Sequence, residues 1–282
     1  MIEADFSLEV SVARPSDYKS IERLCTRAVG PHDYVLGVLR DVIKDRGLYL
    51  AWVGDLLVGM TNFDECIDGS GWLSMARTDP DWQGRGVARF LQRELAKHAR
   101  KHEIRILRLW TLSGNVASIR ACEKGGFRTV CEAVHVSHSF RSKIRPQYSN
   151  STNKVITMRT IHNSSYLSKM QGYIAYKRHF IKANDALIEK IRRKRELHSL
   201  DELIFILTKP ERSFHRLSCS FSLLQGEPME AMHLIFSKAK SLGVEWAGGY
   251  LPYDHHLLAL ASKTGFNVDS WGEHCLVFEK SI

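Results

Sequence analysis

The chain contains no run of apolar residues near the roughly 20 that a membrane-crossing helix requires, so no membrane span is expected. Its six cysteines, Cys25, Cys66, Cys122, Cys131, Cys219 and Cys275, include no C-x-x-C pair. That spacing indicates neither a zinc knuckle nor a disulfide framework; reduced, buried thiols and no metal are expected. The N-terminus lacks the basic start and apolar stretch of a secretory signal and carries Glu3, Asp5 and Glu9 instead, which makes the cytoplasm the expected location. The triplets at Asn150 and Asn163 match glycosylation acceptors, which have no meaning there. Acidic residues are fewer than basic ones, 31 against 40, for a net charge of +9. What remains, 44% hydrophobic and 25% charged residues over 282 positions, is the composition of a globular chain with room for two domains of ordinary size.

The most informative stretch is Gln83-Gly84-Arg85-Gly86-Val87-Ala88. Before it, Trp72 to Ala76 reads as a strand that ends at Asp79-Pro80. After it, Val87, Leu91, Leu95 and Ala99 recur at helical spacing, with Arg93, Glu94, Lys97 and Arg100 on the other face. A glycine turn between strand and helix lets backbone N–H groups converge beside the positive end of the helix dipole, which is a cradle for a pyrophosphate. Ile104 to Thr111 then reads as another strand, and Ser113-Gly114-Asn115 opens a helix that stops at Gly125-Gly126 before Phe127. A dinucleotide fold would carry an acidic residue about 20 positions past the glycines. Leu107, Leu109 and Trp110 stand there instead.

Together these residues resemble the GNAT superfamily of acyl-CoA-dependent N-acetyltransferases, whose cofactor motif is Gln/Arg-x-x-Gly-x-Gly/Ala: Gln83, Gly86 and Ala88 match it. Asn115, Gly126 and Phe127 match the family's next motif, an Asn opening a helix that ends in Gly-Phe. The resemblance covers roughly residues 8 to 140, with a first strand at Val10–Ala13, helices near 16–28 and 35–45, and strands near 48–54 and 56–65. It implies an α/β fold of the GNAT type with a mixed sheet, acetyl-CoA as acyl donor, and direct attack of a primary amine on the thioester in a ternary complex. By the same resemblance, Gly84, Arg85, Gly86, Val87 and Ala88 hold the pyrophosphate, the backbone of Ala76, Arg77 and Thr78 pairs with the pantetheine arm, and Asn115 bonds that arm or caps its helix.

The family's acid and base are replaced here. Where a Tyr often protonates the departing thiolate, the chain has Cys122, either a proton donor or a small buried hydrophobe. Where many members carry a Glu base, it has Ser74; Asp64 and Glu65 at the end of the preceding strand are the nearby candidates, acting through water or standing only as turn residues. Asp33 and Tyr34 fall in the region that shapes the family's acceptor pocket, where Asp33 pairs with a cationic substrate or caps a helix. With Trp72 through Leu91, this Asp-Tyr is similar to the histidine N-acetyltransferase-like branch, which makes an amino acid one acceptor class beside protein amines.

Residues 141–154 are polar, contain Pro146 and show no apolar period, which marks a linker between a domain at 1–140 and one at 155–282. The plan of residues 105–127 recurs 139 positions further on, with Asp254 on Asn115, Gly265 on Gly126 and Phe266 on Phe127. A tandem chain is expected, its second half degenerate, because Gln225-Gly226-Glu227-Pro228 places a carboxylate and an N–H-free residue where an anion would sit. Between them, the basic segment 177–195 reads either as a solvated helix from Asn184 to Glu196 or as a contact for nucleic acid, the alternative being a non-catalytic binding module. One acetyl-CoA per chain, in a monomer or dimer, is the expected stoichiometry.

Overall fold

A computed structural model describes residues 7–140, 156–213, 216–268 and 273–282; the expected linker lies outside these residues. The chain forms two compact units. Of the described residues, the first holds 7–109, 116–128 and 279–282, and the second holds 110–115, 129–140, 156–213, 216–268 and 273–278.

In the first unit, β1 (Glu9–Val12), α1 (Tyr18–Ala28), α2 (Leu39–Lys44), β2 (Leu48–Val53), β3 (Leu56–Glu65), β4 (Gly71–Thr78), α3 (Val87–Lys101), β5 (Ile106–Leu112) and α4 (Val116–Lys124) follow in order. Strands β1 to β4 pair antiparallel with their neighbours, and β4 pairs parallel with β5 across the α3 connection. Alternation along the strands sends Leu48, Leu50 and Met60 to one face, where Ile21, Leu24 and Leu39 of α1 and α2 cover them. Ala51 and Val58 pack under Val87 and Leu91 of α3. The helix expected near 35–45 is instead a short 3-10 turn, Tyr34–Gly37, followed by α2. Asp33 accepts a 3.1 Å bond from the Val35 amide and starts that turn.

The last residues of the chain close an ion cluster in this unit. Arg108 on β5 is 1% exposed and donates from Nη1 to Asp68 Oδ2 at 2.8 Å and from Nε to Glu279 Oε2 at 2.8 Å. Its Nη1 also reaches Ser70 Oγ at 2.7 Å. Removing Glu279 leaves the buried guanidinium with Asp68 as its carboxylate partner, so Glu279→Ala is expected to cost about 1.5–3 kcal/mol of stability, the range for a hydrogen bond to a charged group. Urea unfolding of the full chain measures it, with Glu279→Gln giving a smaller loss because one acceptor survives.

In the second unit, β6 (Arg128–Ser139), α5 (Met158–Ile161), α6 (Ser165–Lys169), β7 (Tyr173–Tyr176), β8 (His179–Lys182), α7 (Asp185–Arg193), β9 (Leu197–Leu200), β10 (Leu203–Leu207), β11 (Glu211–Ser213), β12 (Arg216–Gln225), α8 (Pro228–Ser241), β13 (Trp246–Pro252), α9 (His255–Lys263), β14 (Asn267–Val268) and β15 (Cys275–Ser281) follow. Strand β13 lies between β6 and β12, β10 between β12 and β9; β7 and β8 form a separate hairpin. Phe205, Phe221, Ile235, Leu251 and Phe266 lie in the core.

Both units contain three consecutive strands, with the second and third antiparallel, followed by a helix, a parallel strand and a helix. The short β11 is an addition in the second. Even the ends of α4 and α9 coincide. Gly126 (φ +82°) and Gly265 (φ +91°) occupy the left-handed region, and the amides of Phe127 and Phe266 reach back to the carbonyls of Cys122 and Ala261, both at 3.0 Å. Asp254 caps α9 by accepting from the Leu257 amide at 3.0 Å.

Candidate active site

The turn between β4 and α3 has the form its two glycines require. Gly84 and Gly86 adopt φ of +76° and +86°, a region closed at low cost only to glycine. A Cβ built on Gly84 would meet nothing within 4 Å, and one on Gly86 would meet only Arg89 Nη2 at 3.6 Å, so the turn presents open backbone with a guanidinium beside it. Gly86 is the N-cap of α3 and offers no side chain to the first amides of the helix. Buried Val87 anchors the turn from below, Gln83, Gly84 and Arg85 are exposed, and the Arg85 guanidinium lies 5.0 Å over the Trp82 ring. A bidentate bond from Arg27 of α1 to Asp79 (2.7 and 3.1 Å), with Asp81 at 2.7 Å, ties the approach to the turn onto the helix layer. The Arg27 hydrogen bond holds the Asp79 carboxyl below its ordinary pKa.

Upstream of the turn, β4 leaves its neighbours in two ways. It pairs with β5 only at Gly71–Leu107 and Trp72–Arg108, so from Leu73 to Thr78 that edge has no strand partner among the described residues. Toward β3 the register passes from Met60–Arg77 to Asn62–Ser74, three residues of β4 against two of β3. This is a bulge on β4, and Met75 within it has φ +55°. An edge without a strand partner, a bulge and an anion-ready turn thus lie between Leu73 and Ala88, along one strand–turn–helix connection.

The face of the sheet that carries Met60 continues outward as polar residues. Asn62, 4% exposed, donates from Nδ2 to Asp64 Oδ2 at 2.8 Å and lies 3.5 Å from Ser74 Oγ. Burial pushes the Asp64 carboxyl above its ordinary pKa; the Asn62 bond pulls it back, and the charge of Asp45 adds to the rise.

Residues 17–127 match the acetyltransferase (GNAT) family. This stretch is a GNAT acetyltransferase domain, and the chain is an acyltransferase. No curated protein matches the chain. Among solved structures, the chain is similar to a putative acetyltransferase from Thermoplasma acidophilum, at 16% identity over 96% of this chain and 91% of that one, with a TM-score of 0.54. A GCN5-related N-acetyltransferase from Sphaerobacter thermophilus aligns over 97% of this chain and 95% of its own at 12% identity and a TM-score of 0.58. A putative acetyltransferase from Pyrococcus horikoshii gives 16%, 98%, 89% and 0.54. At these identities the likeness establishes the fold, and it spans both units.

Within the GNAT domain the expected site residues separate. Ala76, Arg77 and Thr78 lie on the free edge of β4, with Ala76 exposed. Gln83 to Ala88 form the turn. Asn115 is exposed directly before α4, its amide bonded to Leu112 O at 3.0 Å. Tyr34 is 51% exposed, its ring 5.3 Å from the Arg77 guanidinium. Asp33, expected either to pair with a cationic substrate or to cap a helix, caps the 3-10 turn; its side chain is fully buried and both oxygens accept from Arg77, each at 2.7 Å. Burial raises its pKa, but the bonds from Arg77 and the Val35 amide and the Arg77 charge outweigh this, and the carboxyl stays below its ordinary value. Such a group contributes stability above its unfolded-state pKa and loses it as pH falls through the depressed folded value. Asp33→Asn is therefore expected to destabilise the chain by about 3 kcal/mol near neutral pH, a difference that narrows in acid, as thermal melts across pH will measure.

Cys122, expected either as a proton donor or as a small buried hydrophobe, lies in the packed side of α4. It is 2% exposed, and burial pushes its thiol up to about 11 against a partial lowering by Ser118. Glu65 is exposed, whereas Asp64 is half-buried, on the same face as Ser74. Sequence reasoning missed Asn62, the Asp33–Arg77 pair and the β4 bulge. The Asp33–Arg77 pair joins residues 44 positions apart, and the place of Asn62 and the bulge depend on the register of β3 with β4, which leaves no local pattern. The charge of the basic segment is partly internal, with Glu189 bonding Arg192 at 2.6 Å and Arg193 at 2.7 Å and Lys177 bonding Glu211.

Proposed function

We propose that the chain transfers acetyl from acetyl-CoA to a primary amine, carried by a small molecule such as an amino acid or by a protein, through direct attack in a ternary complex. The observation that carries this reading is the open turn at Gly84 and Gly86 at the end of a strand one edge of which, from Leu73 to Thr78, has no strand partner among the described residues. Acetyl-CoA supplies an acyl group activated as a thioester. The amides from Gly84 to Ala88, with Arg85 and Arg89, bind its pyrophosphate; the backbone of Ala76 to Thr78, paired with β3 on one edge and facing no strand on the other, orients its arm as an added strand would; Asn115 contributes a further bond.

Asp64 receives the amine proton through water. A carboxylate raised by burial is a better base than an exposed one, and the Asn62 amide, bonded to Oδ2, fixes its orientation. Because the base works deprotonated, kcat/KM rises with pH through the raised Asp64 value. Asn62→Ala removes the bond that lowers that value, so the acid limb of the pH profile is expected to move to higher pH; an unmoved limb would remove Asp64 from the mechanism. The second unit is read as a degenerate copy of the first that binds no acetyl-CoA. Calorimetry of the intact chain with acetyl-CoA, followed by an amine panel with mass-spectrometric detection of acetylated product, tests the whole reading.

A further inference from the structure

The second unit contains the same kind of opening as β4 and β5, and the chain itself fills it. Strands β12 and β13 pair in parallel from Ser218–Trp246 to Phe221–Gly249 and then stop, although β12 continues to Gln225 and β13 to Pro252. The gap between Ser222–Leu224 and Tyr250–Pro252 is lined by Tyr166, Leu167 and Met170 around α6 and by Tyr173–Ala175 of β7. Together they leave space for about one water molecule.

Three polar ties fix this segment at three points. The Ser222 hydroxyl donates to the Ala175 carbonyl on the parted edge of β12. Tyr166 donates from its hydroxyl to the Gly226 carbonyl, at 2.8 Å, in the turn that leads into α8. Lys169 pairs with Asp254, the cap of α9. Apolar contacts finish the closure: Tyr166, Met170 and Ile174 are 5%, 4% and 2% exposed, and the ring of Phe180 on β8 packs 4.9 Å from that of Tyr250. These anchor points are the counterparts, in the second unit, of the free β4 edge, of the turn before α3 and of Asn115. The turn itself differs from its counterpart: a Cβ on Gly226 would strike Leu203 Cδ2 at 2.4 Å, whereas the glycines of the first turn face open space.

We infer that the segment Tyr166–Ala175 is the resident internal ligand of the second unit, seated at the three positions where the first unit is read as holding its acyl donor, and that it keeps this second groove shut. The inference rests on the reading of the first groove as the donor site. It adds a second barrier to the Glu227-Pro228 turn, and the two are separable. Repairing the turn with Glu227→Gly and Pro228→Val leaves the plug in place, so repair alone creates no second site.

Calorimetry with acetyl-CoA and native-state hydrogen exchange, both on the full chain, test this. One site per chain is expected in the native protein and again in the repaired variant; two sites in the repaired variant would overturn the plug. Residues 166–175 are expected to exchange as slowly as β12 residues 219–224 and to be unchanged by saturating acetyl-CoA. Exchange about 100-fold faster than β12, or a change confined to 166–175 on adding acetyl-CoA, would overturn it as well. No binding to the native chain would defeat the donor reading, and the exchange rates would then judge the internal seat by themselves.

Discussion

Gly86→Glu is expected to abolish measurable acetyl-CoA binding while the chain stays folded. Two effects add. A side chain at φ +86° is strained by about 1–2 kcal/mol, and the strain is relieved only if the turn changes shape. A carboxylate at the N-cap of α3 also sits where a pyrophosphate would meet the helix amides. There it satisfies those amides itself and repels the ligand. At about 1.4 kcal/mol per tenfold, loss of affinity by 100-fold or more is expected by calorimetry. Gly86→Ala separates the two contributions, since it carries the strain without the charge and should weaken binding by about tenfold. Equal affinity for all three proteins would place the donor elsewhere.

Asp64→Asn is expected to lower kcat by about 10²–10⁴ with little change in the affinity for acetyl-CoA, the range that loss of a general base covers. Asn keeps the size of the side chain and its bond with Asn62 in altered form, so folding should be preserved. Ser74 suggests the complementary experiment. It stands directly across from Asn62 on the neighbouring strand, and Asn62 Nδ2 is 3.5 Å from its hydroxyl. A carboxylate introduced as Ser74→Glu projects from the same face as Asp64, and in the Asp64→Asn background it should restore part of the lost rate. Restoration with a shifted pH profile would show that the reaction needs a carboxylate on this face. An undiminished kcat in Asp64→Asn would leave water as the base.

Much of the first unit was legible because its signals are local. The glycines at 84 and 86, the helical period from Val87 to Ala99 and the Gly-Phe stop at 126–127 each specify backbone conformation over a few residues, and the structure contains the corresponding turn, helix and cap. The helix expected near 35–45 is shorter for a local reason. Asp33 takes the Val35 amide, a 3-10 turn ends at Gly37, and α2 starts only at Leu39.

Side-chain roles were less legible, because burial and partnership arise between distant segments. Asp33 resembles a surface carboxylate beside an exposed Tyr34, yet Arg77, 44 positions away, turns it into the buried half of an ion pair. Cys122 stands where a proton donor was sought, and packing buries its thiol and raises its pKa to about 11. Asp64 is half-buried because β3 and β4 bring Asn62 and Ser74 beside it.

By itself, the sequence determined the strand–turn–helix connection, the repeat at 139 positions and the family resemblance, all of which rest on neighbouring residues and on φ values that glycine alone adopts easily. Only the tertiary structure decided that Asp33 is sealed in an ion pair with Arg77 and that Asp64 is half-buried beside Asn62. It also revealed that the groove of the second unit is filled by residues 166–175. Desolvation and long-range pairing depend on segments that meet only when the chain is folded, and no local pattern records them.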